Sequence, residues 1–86
     1  MNGDGPSWQL CRVCVTAEAD LGSIARVLER FQPLHILPRR VVAEFGVCDL
    51  LSIEVDIAGV AVDRLTLIVA KLSQVTSIIN VHWHYM

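Results

Sequence analysis

The sequence predicts an α+β domain in which four strands and two helices follow the order βαββαβ. Residues 51–57 alternate strictly between apolar and polar side chains, as expected of a strand that is covered on one face. Residues 20–31 and 58–75 instead repeat apolar side chains every three or four positions, which is the period of a helix packed on one side. Runs rich in β-branched residues flank both of these helical segments and supply the other strands.

The first half of the chain predicts one strand and one helix. The strand covers residues 8–17, with one face formed by Cys11, Val13, Val15 and Ala17. The helix begins at the capping residue Asp20 and ends before Pro33, because the residue that precedes a proline disfavours helix. Gly22, in its first turn, costs about 1 kcal/mol relative to alanine. We expect this glycine to ease the chain through the corner, or to open the helix N-terminus to a small anion.

The second half predicts two more strands, a helix and a last strand. The strand over 35–45 contains Pro38, which lacks an amide hydrogen, so this strand is expected to lie at a sheet edge or to carry a bulge. The strand over 48–57 buries Leu51, Ile53, Val55 and Ile57, whereas Glu54 and Asp56 are expected on its solvated face. A helix over 58–75 leads to a strand over 76–85, with Ile79, Val81, Trp83 and Tyr85 on one face. Right-handed crossovers fold this order into a ferredoxin-like antiparallel sheet with both helices on one face.

Length and composition narrow the class of protein. The 86 residues predict a flexible N-terminal tail over 1–7 and a single domain over 8–86. With 53% hydrophobic and 19% charged residues the chain is more apolar than a typical soluble domain, so we expect an oligomer. A net charge of -2 does not indicate the basic surface that nucleic-acid binding requires. No apolar run is long enough to span a membrane. The odd cysteine count indicates a reducing, cytoplasmic location.

Cys11 and Cys14 form a C-x-x-C pair, which could bind zinc or copper if the two thiols converged. Positions i and i+3 of a strand point to opposite faces, so we interpret both thiols, and Cys48, as structural. A metal-binding chaperone that uses Cys11 and Cys14 remains the alternative function from another class.

His82 and His84 share one face of the last predicted strand, so both imidazoles could reach one metal ion. Two ligands do not make a site, however, and His35 is too remote in sequence to be assumed as the third. The sequence therefore predicts no metal site and no cofactor.

No catalytic residue is predicted. The serines lack a local nucleophile signature, and no pair of carboxylates is placed to hold separated pKa values. Arg39 and Arg40, beside Pro38, are interpreted either as a solvated edge or as a contact to an acidic surface on a partner protein.

Three stretches of the sequence carry a family resemblance: "LGSIARVLERF" (21–31), "LHILPRRVV" (34–42) and "LTLIVAKLSQVTSIINV" (65–81). They resemble the ACT domain, a small regulatory module that senses amino acids. The third is most similar to the small regulatory subunits of acetohydroxyacid synthase (acetolactate synthase). This resemblance implies a protein without catalytic activity that binds a large thiamine-diphosphate-dependent catalytic subunit. It also implies side-by-side pairing of edge strands and feedback inhibition by a branched-chain amino acid.

The resemblance places an effector between the turn before the first helix and a neighbouring subunit. On this sequence the implied effector-binding groups are the backbone amides of Leu21, Gly22 and Ser23, helped by Asp20 and His35. Arg39 and Arg40 are assigned to the partner contact. The turn departs from the family pattern Asp-Arg-Pro-Gly, and His35 stands where many members have an asparagine that opens the second strand. The contact with a catalytic subunit is therefore better supported than the effector site, and a ligand-free dimerisation module remains an alternative.

Overall fold

The computed structural model describes residues 9–86, so the predicted tail over 1–7, and Trp8, lie outside the described residues. Its elements are β1 (Leu10–Glu18), α1 (Leu21–Glu29), β2 (Arg40–Phe45), β3 (Leu50–Ala58), α2 (Val62–Ser73) and β4 (Ile78–Tyr85), with a short 3-10 helix (Gln32–Leu34) after α1. The strands form one antiparallel sheet in the order β2-β3-β1-β4. The predicted βαββαβ fold is confirmed.

The core lies between the two central strands and the two helices. The predicted inward faces of β1 and β3 are confirmed, since all eight side chains are at most 2% exposed: Cys11, Val13, Val15, Ala17, Leu51, Ile53, Val55 and Ile57. The same cluster contains Val27 and Phe31 from the α1 side and Leu65, Ile68 and Leu72 from α2. Both helices therefore cover one face of the sheet. We call the other face, which carries Arg12, Cys14, Glu54, Asp56, His82 and His84, the open face.

The second strand is shorter than predicted. It begins at Arg40, and the preceding residues form the 3-10 helix and a loop. His35 is the left-handed C-cap of that helix, with φ 55, so it does not open the strand. The edge position predicted from Pro38 is confirmed, because β2 pairs with β3 alone. The second helix is also shorter than predicted, since Gly59 turns the chain with φ 67 before α2 begins.

A bulge changes the predicted inward face of β4. The register with β1 shifts between Thr16 and Ala17, which face Asn80 and Ile78, so Ile79 has no partner across the ladder. Val81 and Trp83 pack against the core as predicted, but Ile79 is 58% exposed and Ile78 takes its place.

Asp56 is not solvated, contrary to the prediction from strand alternation. It is only 5% exposed on the open face, because Arg12 lies opposite it in the register and donates two hydrogen bonds of 2.8 and 3.1 Å to its carboxylate. The Arg12 hydrogen bond lowers the pKa of Asp56 below its ordinary value. The Arg12 side chain on the neighbouring strand thus covers the Asp56 carboxylate, which the strand periodicity alone assigns to solvent.

No helix within residues 9–86 has the length and apolar character needed to cross a membrane.

Candidate functional site

The N-terminus of α1 is closed by its own capping residue. Asp20 is extended (φ -145, ψ 129), and its carboxylate accepts a 3.0 Å hydrogen bond from the amide of Gly22. Its carbonyl accepts a 2.9 Å bond from the amide of Ser23. Two of the three amides assigned to an effector therefore have acceptors within the chain.

The side chain of Ser23 is a structural contact. It is fully buried, and its hydroxyl donates to the carbonyl of Glu18 at 3.3 Å and shares a 3.0 Å hydrogen bond with the hydroxyl of Ser77. These bonds fasten the first turn of α1 to the end of β1 and to the segment that enters β4. Leu21, by contrast, is 76% exposed at the start of the helix.

Gly22 is not needed to turn the corner before α1, so that expectation is wrong. The positive φ among the described glycines belongs to Gly59, and Gly22 lies in the helix. What its missing Cβ accommodates is Arg26, because a Cβ at Gly22 would lie 3.2 Å from a terminal nitrogen of that guanidinium. The Arg26 guanidinium thus lies over the first turn of α1, in close contact with the position where a Cβ at Gly22 would stand.

Arg26 also forms an ion pair with Asp20, with a nitrogen–oxygen distance of 3.5 Å and about half of each side chain exposed. Beside this pair lies a cleft of about 370 Å³, lined by Glu18, Arg26, Val75, Thr76 and Ser77. Sequence reasoning missed Arg26 and Glu18. The signal for Arg26 was its position four residues after Gly22, which places it directly over that glycine on the helix surface.

His35 lies at the other end of α1. The helix has nine residues, which span about 13 Å at the α-helical rise. His35 follows after the 3-10 helix and is exposed. Within one chain, one small amino acid cannot contact both Asp20 and His35.

The edge strand β2 and the loop before it expose apolar side chains beside His35. An apolar pocket of about 430 Å³ is lined by Leu28, Phe31, Gln32, Ile36, Leu37, Pro38 and Val41. Val41 and Phe45 face the helix side of the sheet, yet they are 40% and 54% exposed. We call this pocket, together with the neighbouring side chain of Phe45, the β2 surface.

The arginines assigned to a partner contact lie where β2 begins. The backbone amide of Arg39 donates to the carbonyl of Asp56 at 2.7 Å, and its side chain is exposed. Arg40 lies on the open face, and its guanidinium is 3.8 Å from the Asp56 carboxylate. Both cations therefore lie at an accessible corner of the sheet, next to the β2 surface.

The C-x-x-C pair cannot bind one metal ion in this fold. Cys11 is buried in the core, whereas Cys14 lies on the open face. Burial raises the pKa of both thiols, so neither has the low pKa of a reactive cysteine. Cys48 is exposed in the turn between β2 and β3. The chaperone that uses Cys11 and Cys14 together is therefore excluded.

No protein-family model matches the chain, and no curated protein does. Among solved structures, the C-terminal domain of the MgtC protein from Mycobacterium tuberculosis superposes with a TM-score of 0.76 at 21% identity, covering 93% of this chain and 89% of that one. The crystal structure of the ACT domain from GTP pyrophosphokinase of Chlorobium tepidum gives 0.75 at 17% identity, covering 94% and 99%. The solution structure of that ACT domain gives 0.73 at 17% identity, covering 87% and 84%. The chain thus has the fold of an ACT domain along nearly its whole described length.

Proposed function

We propose that this protein is a cytoplasmic, non-catalytic ACT-like regulatory domain that works as a side-by-side homodimer and binds a small amino acid. We further propose that it is the small regulatory subunit of a thiamine-diphosphate-dependent acetohydroxyacid synthase. The ACT fold supports the regulatory-domain part of the first statement, and the resemblance of residues 65–81 to those subunits supports the second.

The β2 surface carries the proposal of a dimer. β2 is an edge strand, and its apolar side chains Val41 and Phe45 on the helix side stay 40% and 54% exposed. Such an edge is a template for pairing with a second strand. A two-fold axis normal to the sheet would continue the sheet across two β2 strands and reverse the direction of the neighbouring α1. The Asp20 end of one α1 would then approach the His35 end of the other, which a single chain keeps apart.

An amino acid can replace the ion pair that closes the N-terminus of α1. Its ammonium would take the place of Arg26 beside Asp20, and its carboxylate would take the place of Asp20 beside Arg26. Both side chains are half exposed, and exposed pairs of this kind contribute only about 0–1 kcal/mol, so opening this one costs little. The released carboxylate of Asp20 would also free the amide of Gly22 for the ligand.

The β2 surface supplies a site for the effector's side chain. The lining of its pocket is almost entirely aliphatic or aromatic, and its volume of about 430 Å³ lies within the usual range for small-ligand sites. Such a lining favours valine, leucine or isoleucine over polar amino acids. In the dimer this pocket lies near the partner's helix N-terminus, which completes a site for a branched-chain amino acid.

Thermal unfolding against valine, leucine and isoleucine tests the effector site. A ligand at 100 times its dissociation constant stabilises a domain by about 2.7 kcal/mol, which raises Tm by roughly 10–20 °C at this size. Gly22→Val should abolish that rise, because its side chain displaces the Arg26 guanidinium. The matched control is Gly46→Val, since a Cβ at Gly46 meets only an ordinary contact at 3.8 Å. No rise with any of the three, or an equal rise in Gly22→Val, would contradict the site.

Assembly with the catalytic subunit tests the finer proposal. The protein should bind and activate the acetohydroxyacid synthase catalytic subunit of the same organism. Arg39→Glu/Arg40→Glu should weaken that binding at least about tenfold, because a desolvated charge pair at an interface contributes several-fold more than an exposed one. Lys71→Glu, a single charge reversal on α2, is the control for a change of surface charge elsewhere and should bind as the wild type does. Absence of binding, or equal binding by the double variant, would refute this assignment.

A further inference from the structure

We propose that Cys14, His82 and His84 form a binding site on the open face for a divalent transition-metal ion of the zinc class. The site lies outside the proposed effector and dimer surfaces, and it stands independently of the function proposed above.

The strand register brings the three side chains together. Cys14 on β1 faces His82 on β4 directly, and His84 lies two residues further along β4. Side chains at positions i and i+2 share a face, and directly opposed residues have Cβ atoms about 4.5–5.5 Å apart. All three side chains therefore stand on one patch of the open face, which neither helix covers.

The distances suit a single ion. One ligand atom from each residue can be chosen so that all three lie within 4.8 Å of one another. Tetrahedral zinc, with bonds of about 2.0–2.3 Å to nitrogen and sulfur, needs ligand atoms roughly 3.3–3.6 Å apart. The imidazole rings are nearly parallel, at 24°, with centroids 6.3 Å apart. Small rotations of two exposed imidazoles would bring both nitrogens to bonding distance.

The donors select the class of ion. One sulfur and two imidazole nitrogens suit Zn²⁺ and its neighbours, whereas Mg²⁺ and Ca²⁺ require oxygen ligands. On binding, the ion replaces the proton of the Cys14 thiol, which passes to solvent. Three protein ligands leave a fourth position for water or another ligand. Because His82 and His84 are exposed on the outer edge of the sheet, an ion can enter directly from solvent.

The surrounding charges permit a cation. Arg12 lies opposite His84, but its guanidinium is held by the Asp56 carboxylate at 2.8 Å and lies 3.8 Å from Glu54. β3 flanks β1 on the side away from β4, and its Glu54 lies opposite Cys14 on the same open face. The negative charge of Glu54 therefore favours an ion bound at the thiol. The carboxylates of Glu54 and Asp56 thus balance Arg12 and Arg40, whose guanidinium lies 3.8 Å from Asp56, so no net positive charge opposes an ion here.

The site is also separate from the β2 surface. β2 and β4 are opposite edges of the sheet, so pairing through β2 leaves the cluster open to solvent. Zinc binding can therefore be measured on the full-length protein whatever its oligomeric state.

Titration of the full-length protein with Zn²⁺ against a chromophoric chelator tests the site. We expect one tightly bound Zn²⁺ per chain. Cys14→Ser, His82→Asn and His84→Asn should each lower the affinity at least about tenfold, since removing a group that only hydrogen-bonds a ligand already costs 10–100-fold. Cys48→Ser and His35→Asn are the matched controls, and both should bind as the wild type does. An absence of stoichiometric binding, or equal losses in the controls, would overturn the proposal.

A second readout needs no variant. Bound Co²⁺ should show a thiolate charge-transfer absorption, and Zn²⁺ should slow the alkylation of Cys14 while leaving that of the exposed Cys48 unchanged. Equal alkylation rates with and without Zn²⁺ at Cys14 would overturn the assignment of that thiol as a ligand.

Discussion

Asp56→Asn is expected to lower the free energy of unfolding by about 1.5–3 kcal/mol at pH 7, the range for hydrogen bonds to charged groups. The change leaves the shape of the side chain intact but removes the negative charge that receives two bonds from Arg12. Arg12 is only 25% exposed at its side chain, so water cannot fully replace the lost partner. Chemical denaturation at constant pH measures the effect.

The Arg12–Asp56 pair also predicts how the free energy of unfolding depends on pH. The Arg12 hydrogen bond lowers the pKa of Asp56 in the folded state below the ordinary value of 3.8. The stabilisation is therefore complete above that ordinary value, and it is lost as the pH falls through the lower, folded value. The difference between the wild type and Asp56→Asn should accordingly shrink in acid.

Glu54→Gln is the matched control for Asp56. Glu54 lies two residues earlier on the same face, but it is 39% exposed and its carboxylate is 3.8 Å from Arg12. Such a pair contributes less than about 1 kcal/mol. Equal losses in the two variants, or a difference that persists undiminished to pH 2, would show that the Asp56 charge does not carry the effect.

Phe45→Glu is expected to dissociate the proposed dimer, raising its dissociation constant about 30-fold or more. Phe45 is 54% exposed at the edge of the sheet, and a buried aromatic at an interface commonly contributes at least about 2 kcal/mol. A carboxylate there would also be desolvated against the partner. Sedimentation equilibrium over a range of concentrations measures the change.

Ile79→Glu controls for the loss of an apolar surface residue. Ile79 is similarly exposed, at 58%, but it lies at the bulge of β4, on the opposite edge of the sheet. Its substitution should leave the dimer intact. A monomeric wild type, or equal dissociation in both variants, would refute pairing through β2.

The cysteine and histidine residues show that local sequence patterns predict the face of a strand on which a side chain lies, but not its neighbours on other strands. The sequence predicted that Cys11 and Cys14 diverge, because the two-residue period of a strand fixes the faces of i and i+3. It also predicted that His82 and His84 share a face. It could not supply their companion, since Cys14 is 68 positions from His82 and meets it only through the pairing of β1 with β4.

The turn before α1 shows the same limit at shorter range. Asp20 was predicted as the cap from its residue type alone, and it does cap the helix. Arg26 pairs with Asp20 and lies against Gly22, and this arrangement depends on side-chain placement over a full helical turn. The proposed displacement of both side chains by an effector involves a proposed second subunit, which no local pattern describes.

By itself, the sequence determined the element order and the buried faces of β1 and β3, because both follow from local periodicities. Only the tertiary structure decided that Asp56 is buried, that β4 bulges to expose Ile79, and that Cys14 joins two histidines. The physical reason is common to all three. A strand pattern specifies which face a side chain takes, but register across the sheet specifies its neighbours, and burial, charge pairing and metal ligation are all properties of neighbours.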